Sequence, residues 1–178
     1  MASVRAFSIR ADAIAAERSR VNQELSKVDI SRVIALDELA LPAPGPGQVR
    51  MRILAVSAEH NVDHAALADT VNITEVRGGK IYPGNSAVGE VLEVGENVKK
   101  LKPGQIVVTH CNGEPDRFGY PMRIWAYDQP ESVGWYAEEA VVGEWQLVPA
   151  PLDCGGVRGA GAVRVSGRRA QVERYGVG

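Results

Sequence analysis

The stretch "EHNVDH" places Glu59, His60, Asp63 and His64 within six residues. On a helix, His60 and His64 stand at i and i+4 and share a face, a spacing that can hold a metal ion. Read plainly, the same residues form a polar loop entering a short helix, with Asp63 near its N-terminus. His60 is the acid–base candidate here, because an imidazole changes charge near neutral pH. A second stretch, "AYDQPE", supplies the phenol of Tyr127 and the carboxylates of Asp128 and Glu131. An imidazole and a carboxylate facing one volume orient a charged substrate or move a proton. His110 and Cys111 close a strand-like run, where core or edge packing competes with chemistry. Trp125, Trp135 and Trp145 read as packing residues.

Phosphate-binding chemistry has one weak candidate, "GGVRGAGAVR". It contains Gly159 and Gly161, but Arg164 stands where GxGxxG needs its third Gly or Ala. A dinucleotide site is a strand, a glycine turn and a helix whose N–H groups and dipole meet the pyrophosphate. This tail leaves no room for such a unit, so no cofactor and no metal are expected. Cys111 and Cys154 are the two cysteines and form no CxxC pair. Free thiols in a reducing cytoplasm follow from that usage.

The elements that must position these residues are mostly strands. "VRAFSIR" alternates apolar and polar residues. Residues 11–27, "ADAIAAERSRVNQELSK", lack Gly and Pro and predict a helix with Ile14, Val21, Leu25 and Val28 on its buried stripe, interrupted by Arg18. "RVIALDELALP" is a strand, and "PAPGPGQ" a turn. In "QVRMRILAVSA", Val49, Met51, Ile53 and Ala55 face one side, and Arg50 and Arg52 the other. "AVGEVLEVG", "QIVVTHC", "GWYAEEAVVGE" and "WQLVPAP" complete the strands. In the "KPGQ" turn Pro103 presets φ and Gly104 supplies a positive one. Many short strands and few helices predict a mainly β, barrel-like domain.

Length and charge bound the rest. The chain has 178 residues, 45% of them hydrophobic, and a net charge of −2. That suits one globular domain and points to neither nucleic acid nor membrane. The N-terminus has no apolar run of the signal-peptide kind. From Leu152 onward, Arg158, Arg164, Arg168, Arg169 and Arg174 oppose Asp153 and Glu173, so the end of the chain is basic and the body acidic. A basic tail can fold back, bind an acidic partner, or simply be solvated.

Taken together, "LPAPGPGQVRMRILAVSAEHN", "GNSAVGEVLEVGENVKKLKPGQIVV" and "WYAEEAVVGEWQLVPAP" resemble the GroES-like catalytic domain of medium-chain dehydrogenases/reductases. "VVTHC" and "RIWAYDQPESVGWYAEEAVV" resemble its crotonyl-CoA carboxylase/reductase branch. The resemblance implies a partly open β-barrel over residues 1–152, a divergent basic tail over 153–178, and no nucleotide-binding domain in this sequence. The tail's composition suits a replaced or frame-shifted end. Zinc-binding members carry a Cys early in the domain and a His–Glu pair after a Gly. This chain has "AVSAEHN" at the first place and Asn85 and Ser86 at the second, so family-type zinc is excluded by residue chemistry. The resemblance aligns Asn61 with a residue lining the branch's carbon dioxide pocket, and Tyr127 and Asp128 with a Phe–Glu pair. It also implies that "EHN" and "AYDQPE" flank the substrate pocket, with His110 and Trp125 toward the cleft.

Three classes of function stay open. The chain is an accessory or substrate-holding subunit of a two-component biosynthetic enzyme, performing no redox chemistry itself; or an enoyl reductase half with its nucleotide domain supplied in trans; or a stand-alone acid–base catalyst of elimination or ring closure. The first leads, because hydride chemistry belongs to a nicotinamide cofactor. It assigns His60, Asp128 and Tyr127 to catalysis, and Asn61, Glu131, His110 and Trp125 to substrate binding. The expected partners are a small-molecule substrate and a protein covering the face left without a second domain.

Overall fold

The structure, a computed structural model, describes residues 2–57, 67–68, 78–126, 129 and 132–150. Its centre is the most regular alternation in the sequence. Strand β3 (Gln48–Val56) turns Val49, Met51 and Ile53 inward, while Arg52 and Leu54 face out. It lies between β7 (Glu139–Gly143) and β5 (Ala87–Val94) in an antiparallel sheet. The sheet continues through β6 (Ile106–Thr109) to β8 (Leu147–Pro149), giving the order β7-β3-β5-β6-β8. Gly104 in the turn before β6 adopts φ +84°, as "KPGQ" predicts.

A second antiparallel sheet has the order β2-β1-β4, from β1 (Ala2–Arg10), β2 (Ile34–Leu41) and the two-residue β4 (Lys80–Ile81). Asp37 on β2 reaches past β1 to β4, accepting from Lys80 Nζ at 2.7 Å and from the Tyr82 hydroxyl at 3.1 Å. The Lys80 hydrogen bond holds the Asp37 carboxyl below its usual range. Burial, then the hydrogen bond to Asp37, pushes the Tyr82 phenol up.

One short segment joins the two sheets. Phe7 N–H donates to Tyr136 O, Glu138 N–H to Arg5 O, and Ile53 N–H to Glu138 O. Residues 136–138 therefore lie against β1 on one side and β3 on the other. Arg5 and Glu138 also form a salt bridge with a bidentate contact from the guanidinium. The result is mainly β, two antiparallel sheets wrapped into a partly open form with no closed barrel among the described residues. The larger core gathers Met51, Val91, Val107, Trp135 and Val142; a smaller one gathers Ile9, Ile14, Val33 and Ile81.

Three sequence expectations need correction. The predicted helix to Lys27 ends early: α1 spans Ala11–Arg20. Asn22 and Gln23 follow at φ 51° and 67°, a left-handed conformation that breaks the helical hydrogen-bond series. Ile14 and Val21 are buried as the stripe requires, but Leu25 starts a 3₁₀ turn and is only half-buried. In "GWYAEEAVVGE" only Glu139–Gly143 is strand; the earlier residues serve the junction between sheets. Trp145 is not packed away but half-exposed. Beyond these, residues 111–125 fold into an antiparallel lobe that the sequence reading missed. Its arms are tied by Gly113 N–H to Arg123 O, Met122 N–H to Glu114 O, and Asp116 N–H to Tyr120 O, each 2.8 Å.

Glu17 takes a place on the buried face of α1. Its carboxylate accepts from Arg20 Nε at 2.7 Å and from Asp29 N–H at 2.8 Å, tying α1 to the chain that returns toward β2. The Arg20 hydrogen bond, then that of Asp29, lowers the carboxyl pKa from 4.5 to about 2. The folded-state value lies below the unfolded one, so the ionised form favours the fold. This contribution is complete above about pH 4.5 and fades as pH falls toward about 2. Glu17→Gln should therefore be less stable than the parent at neutral pH. The gap should close in denaturant melts as pH drops through that window; a gap constant with pH would refute the assignment.

Candidate functional site

The best-defined geometry near the predicted site is the frame around Trp135. Its indole is wholly buried, and its Nε1–H donates to Asn85 O at 2.9 Å. Trp125 stacks on it at a centroid distance of 5.9 Å and donates its own Nε1–H to Val133 O at 2.8 Å. Gly134 N–H donates to Tyr82 O and Tyr136 N–H to Pro83 O, so residues 82–84 and 134–136 run close together. This approach demands glycine. A Cβ on Gly134 would sit 2.2 Å from Pro83 O, and one on Gly84, at φ +120°, 2.5 Å from Trp135 N.

Both predicted site segments spring from this frame. Ser57, directly before "AEHN", donates its N–H to Ser86 O at 3.0 Å. Its carbonyl accepts from the Tyr136 hydroxyl at 3.2 Å. At the other segment, Ala126 is buried at φ +71°, a conformation uncommon for a residue with a Cβ. Its N–H donates to Ser132 Oγ at 2.9 Å, and that hydroxyl donates to Gln129 O at 2.8 Å. Ser132 thus bonds the main chain at both Ala126 and Gln129. His60, Asn61, Tyr127, Asp128 and Glu131 lie outside the described residues, as do His64 and Asp63. What the described residues bring together is the anchors of the two segments, on Trp135 and its neighbours.

His110 follows β6 and has both ring nitrogens engaged. Asn112 N–H donates to Nδ1 at 3.2 Å, so Nδ1 accepts and Nε2 carries the hydrogen, 3.1 Å from Trp145 O. The two rings lie 5.5 Å apart and tilted. In this arrangement the imidazole ties β6 to the turn before β8. Cys111 is a free, half-buried thiol. Trp125, predicted toward the cleft, is half-buried between Trp135 and the Val133 carbonyl.

The residues at the expected zinc position do not suit zinc. Asn85 and Ser86 offer an amide and a hydroxyl where the metal wants thiolate, imidazole or carboxylate. Asn85 is buried with its main-chain carbonyl given to Trp135. Among the described residues, no three His, Cys, Asp or Glu side chains gather closely enough to hold a metal ion.

Sequence reasoning had no means of finding Ser132 or Gly134. Each looks like an ordinary loop residue until the partners distant in sequence are known. Gly134→Ala should destabilise the fold by about 1–3 kcal/mol, because the clash is with backbone and not with a movable side chain. It should also shift tryptophan fluorescence, by displacing Trp135. Unchanged stability and an unchanged spectrum would show that the close approach is not needed. Ser132→Ala should open the chain next to Ala126 and Gln129 to proteolysis at a cost of about 1 kcal/mol, while Ser132→Thr keeps the hydroxyl and the resistance.

Comparison with known proteins fits this geometry. The sequence model described as alcohol dehydrogenase GroES-like domain matches residues 45–152. A crotonyl-CoA reductase of Streptomyces avermitilis is 30% identical over 176 residues, covering 84% of this chain and 39% of the relative. Cinnamyl alcohol dehydrogenase 5 of Arabidopsis thaliana is 32% identical over 155 residues, covering 72% and 42%. Among solved structures, a crotonyl-CoA carboxylase/reductase, AntE, in complex with NADP superposes with a TM-score of 0.65 at 26% identity, over 84% of this chain and 37% of that one. The chain thus spans about two fifths of the length of these relatives. No helix among the described residues is long and apolar enough to cross a membrane. With the match over 45–152 and this two-sheet architecture, the chain belongs to the alcohol dehydrogenase GroES-like domain family.

Proposed function

We propose that this chain is the substrate-holding component of a two-component biosynthetic enzyme, with the nucleotide-binding component on a separate polypeptide. The observation that carries the reading is the outward face of the five-stranded sheet. Val88, Val108 and Val148 stand in register across β5, β6 and β8. Val108 and Val148, with neighbouring Ile106, are 40% to 57% exposed. Strand β8 is an edge, paired only with β6 among the described residues. An aliphatic row beside an open strand edge is a surface suited to cover by another folded unit.

The likeness to crotonyl-CoA reductase supports an enoyl-CoA thioester as the substrate class. In this reading the chain's own part is non-redox. It binds and orients the thioester, while hydride transfer belongs to a nicotinamide cofactor on the partner. His60, Asp128 and Tyr127 handle the proton; Asn61, Glu131, His110 and Trp125 shape the pocket. The anchoring of Ser57 and Trp125, next to the two segments, on the Trp135 frame supports this assignment, because acid–base groups act only when held within about half an ångström of their places.

The test is reconstitution with the polypeptide that co-elutes with the tagged chain from its native host, following NADPH consumption with crotonyl-CoA. The chain alone should be inactive and the mixture active. Asp128→Ala or His60→Ala should lower the mixture's rate about tenfold or more with assembly intact. Val108→Asp with Val148→Asp should abolish assembly itself. NADPH consumption by the chain alone would overturn the two-component reading. Full activity in both cleft variants would remove the catalytic assignment and leave a stabilising subunit.

A further inference from the structure

The lobe of residues 111–125 presents an apolar surface separate from the row on the sheet. Tyr120, Met122 and Ile124 recur at every second residue of its returning arm, so an extended backbone presents them on one side. Phe118 stands at the turn. These four side chains are 49% to 70% exposed. With about 150–250 Å² for a whole aromatic side chain, they leave on the order of 500 Å² of apolar surface in one small lobe. A standard interface covers about 800 Å² per partner, with an apolar centre and a polar rim. The lobe supplies a centre of that scale.

Its rim selects the partner. Glu114 and Asp116 are balanced by Arg117 and Arg123, with Arg123 Nε 3.7 Å from Glu114 and Arg117 over the Phe118 ring at 4.5 Å. A rim with equal numbers of both signs offers no net attraction to an anionic membrane or an acidic protein. It does complement itself, because a two-fold axis through the patch can set each guanidinium against the other copy's carboxylates. The surface is also held in shape. Asp116 Oδ1 accepts the N–H groups of Phe118 and Tyr120 at 2.8 and 2.9 Å. Gly119, at φ +87°, closes the turn by donating to Asp116 O. At the base, Glu114 N–H is held by Gln129 Oε1 at 2.7 Å. A patch fixed before binding loses little conformational freedom on association.

We propose that two copies of this chain associate through these lobes, packing Phe118, Tyr120 and Met122 of each against the other. The experiment is sedimentation velocity on the full 178-residue chain, from about 1 to about 200 μM. The expected result is a concentration-dependent dimer. Phe118→Ser with Met122→Ser should weaken it at least about tenfold, and Val108→Ser with Val148→Ser, on the sheet, should leave it unchanged. Hydrogen exchange on the unmodified chain gives a reading that needs no variant: amides of residues 117–124 should gain protection as concentration rises, and those of β8 should not. A parent chain monomeric throughout the range would overturn the proposal. So would a dimer lost in the sheet variant but kept in the lobe variant, or binding of the lobe to anionic phosphatidylserine vesicles with no dimer in solution. These outcomes do not depend on the enzyme assay, so this proposal and the two-component reading stand or fall separately.

Discussion

Burying the Trp135 indole obliges its N–H to find an acceptor inside the protein, and the acceptor is the carbonyl of Asn85. That single requirement brings residues 82–85 against 134–136, and the approach is possible only because Gly84 and Gly134 carry no side chain. Once there, the backbone of 136–138 is in reach of β1 on one side and β3 on the other. The larger sheet and the smaller one are thus joined through a three-residue stretch that is hardly regular itself. Loss of the close approach would cost more than one contact. It would leave a buried indole N–H unsatisfied and the junction strands unpaired, each a penalty of about 1–3 kcal/mol.

The same junction holds the described residues next to the two candidate segments. Neither "EHN" nor "AYDQPE" follows the other in sequence, and no periodicity links them. They are linked by Ser57, bonded to Ser86 and Tyr136, and by Trp125, stacked on Trp135. A rigid frame with reactive side chains on the loops that leave it is the usual division of labour in a binding or catalytic domain. Ala126 fits that scheme. Its positive φ is a local strain, offset by the Ser132 hydroxyl that its N–H engages.

The alternating strands were legible in the sequence, because burial of one face of a sheet writes itself as a period of two. Val49, Met51 and Ile53 face the core as that period requires. What stayed hidden was set by partners far along the chain. The end of α1 depends on Asn22 and Gln23 adopting left-handed φ, and helix propensity alone favours continuation to Lys27. Glu17 looks like a solvated helix residue until Arg20 and Asp29 are seen around it. The short strand β4 is only two residues long and acquires meaning from Lys80 reaching Asp37. The lobe has no hydrophobic run long enough to announce a hairpin, yet backbone hydrogen bonds and the Asp116 turn define it. Of the candidate site, the sequence proposes the side chains, and the structure adds the residues that flank them, Ser57, Trp125, Ala126 and Ser132.

Strand β6 leads from one exposed surface to the other. Ile106 and Val108 belong to the aliphatic row, and after Thr109 the chain passes through His110 into the lobe. The connection at that point is stiff. His110 N–H donates to Gln146 O, Gln146 Nε2–H donates to Asn112 O, and the His110 ring bonds Trp145 O. Three bonds between the start of the lobe and the turn before β8 leave little freedom for one to move without the other. A component seated on β6 and β8 would therefore restrict the base of the lobe as well, with no contact to the lobe itself.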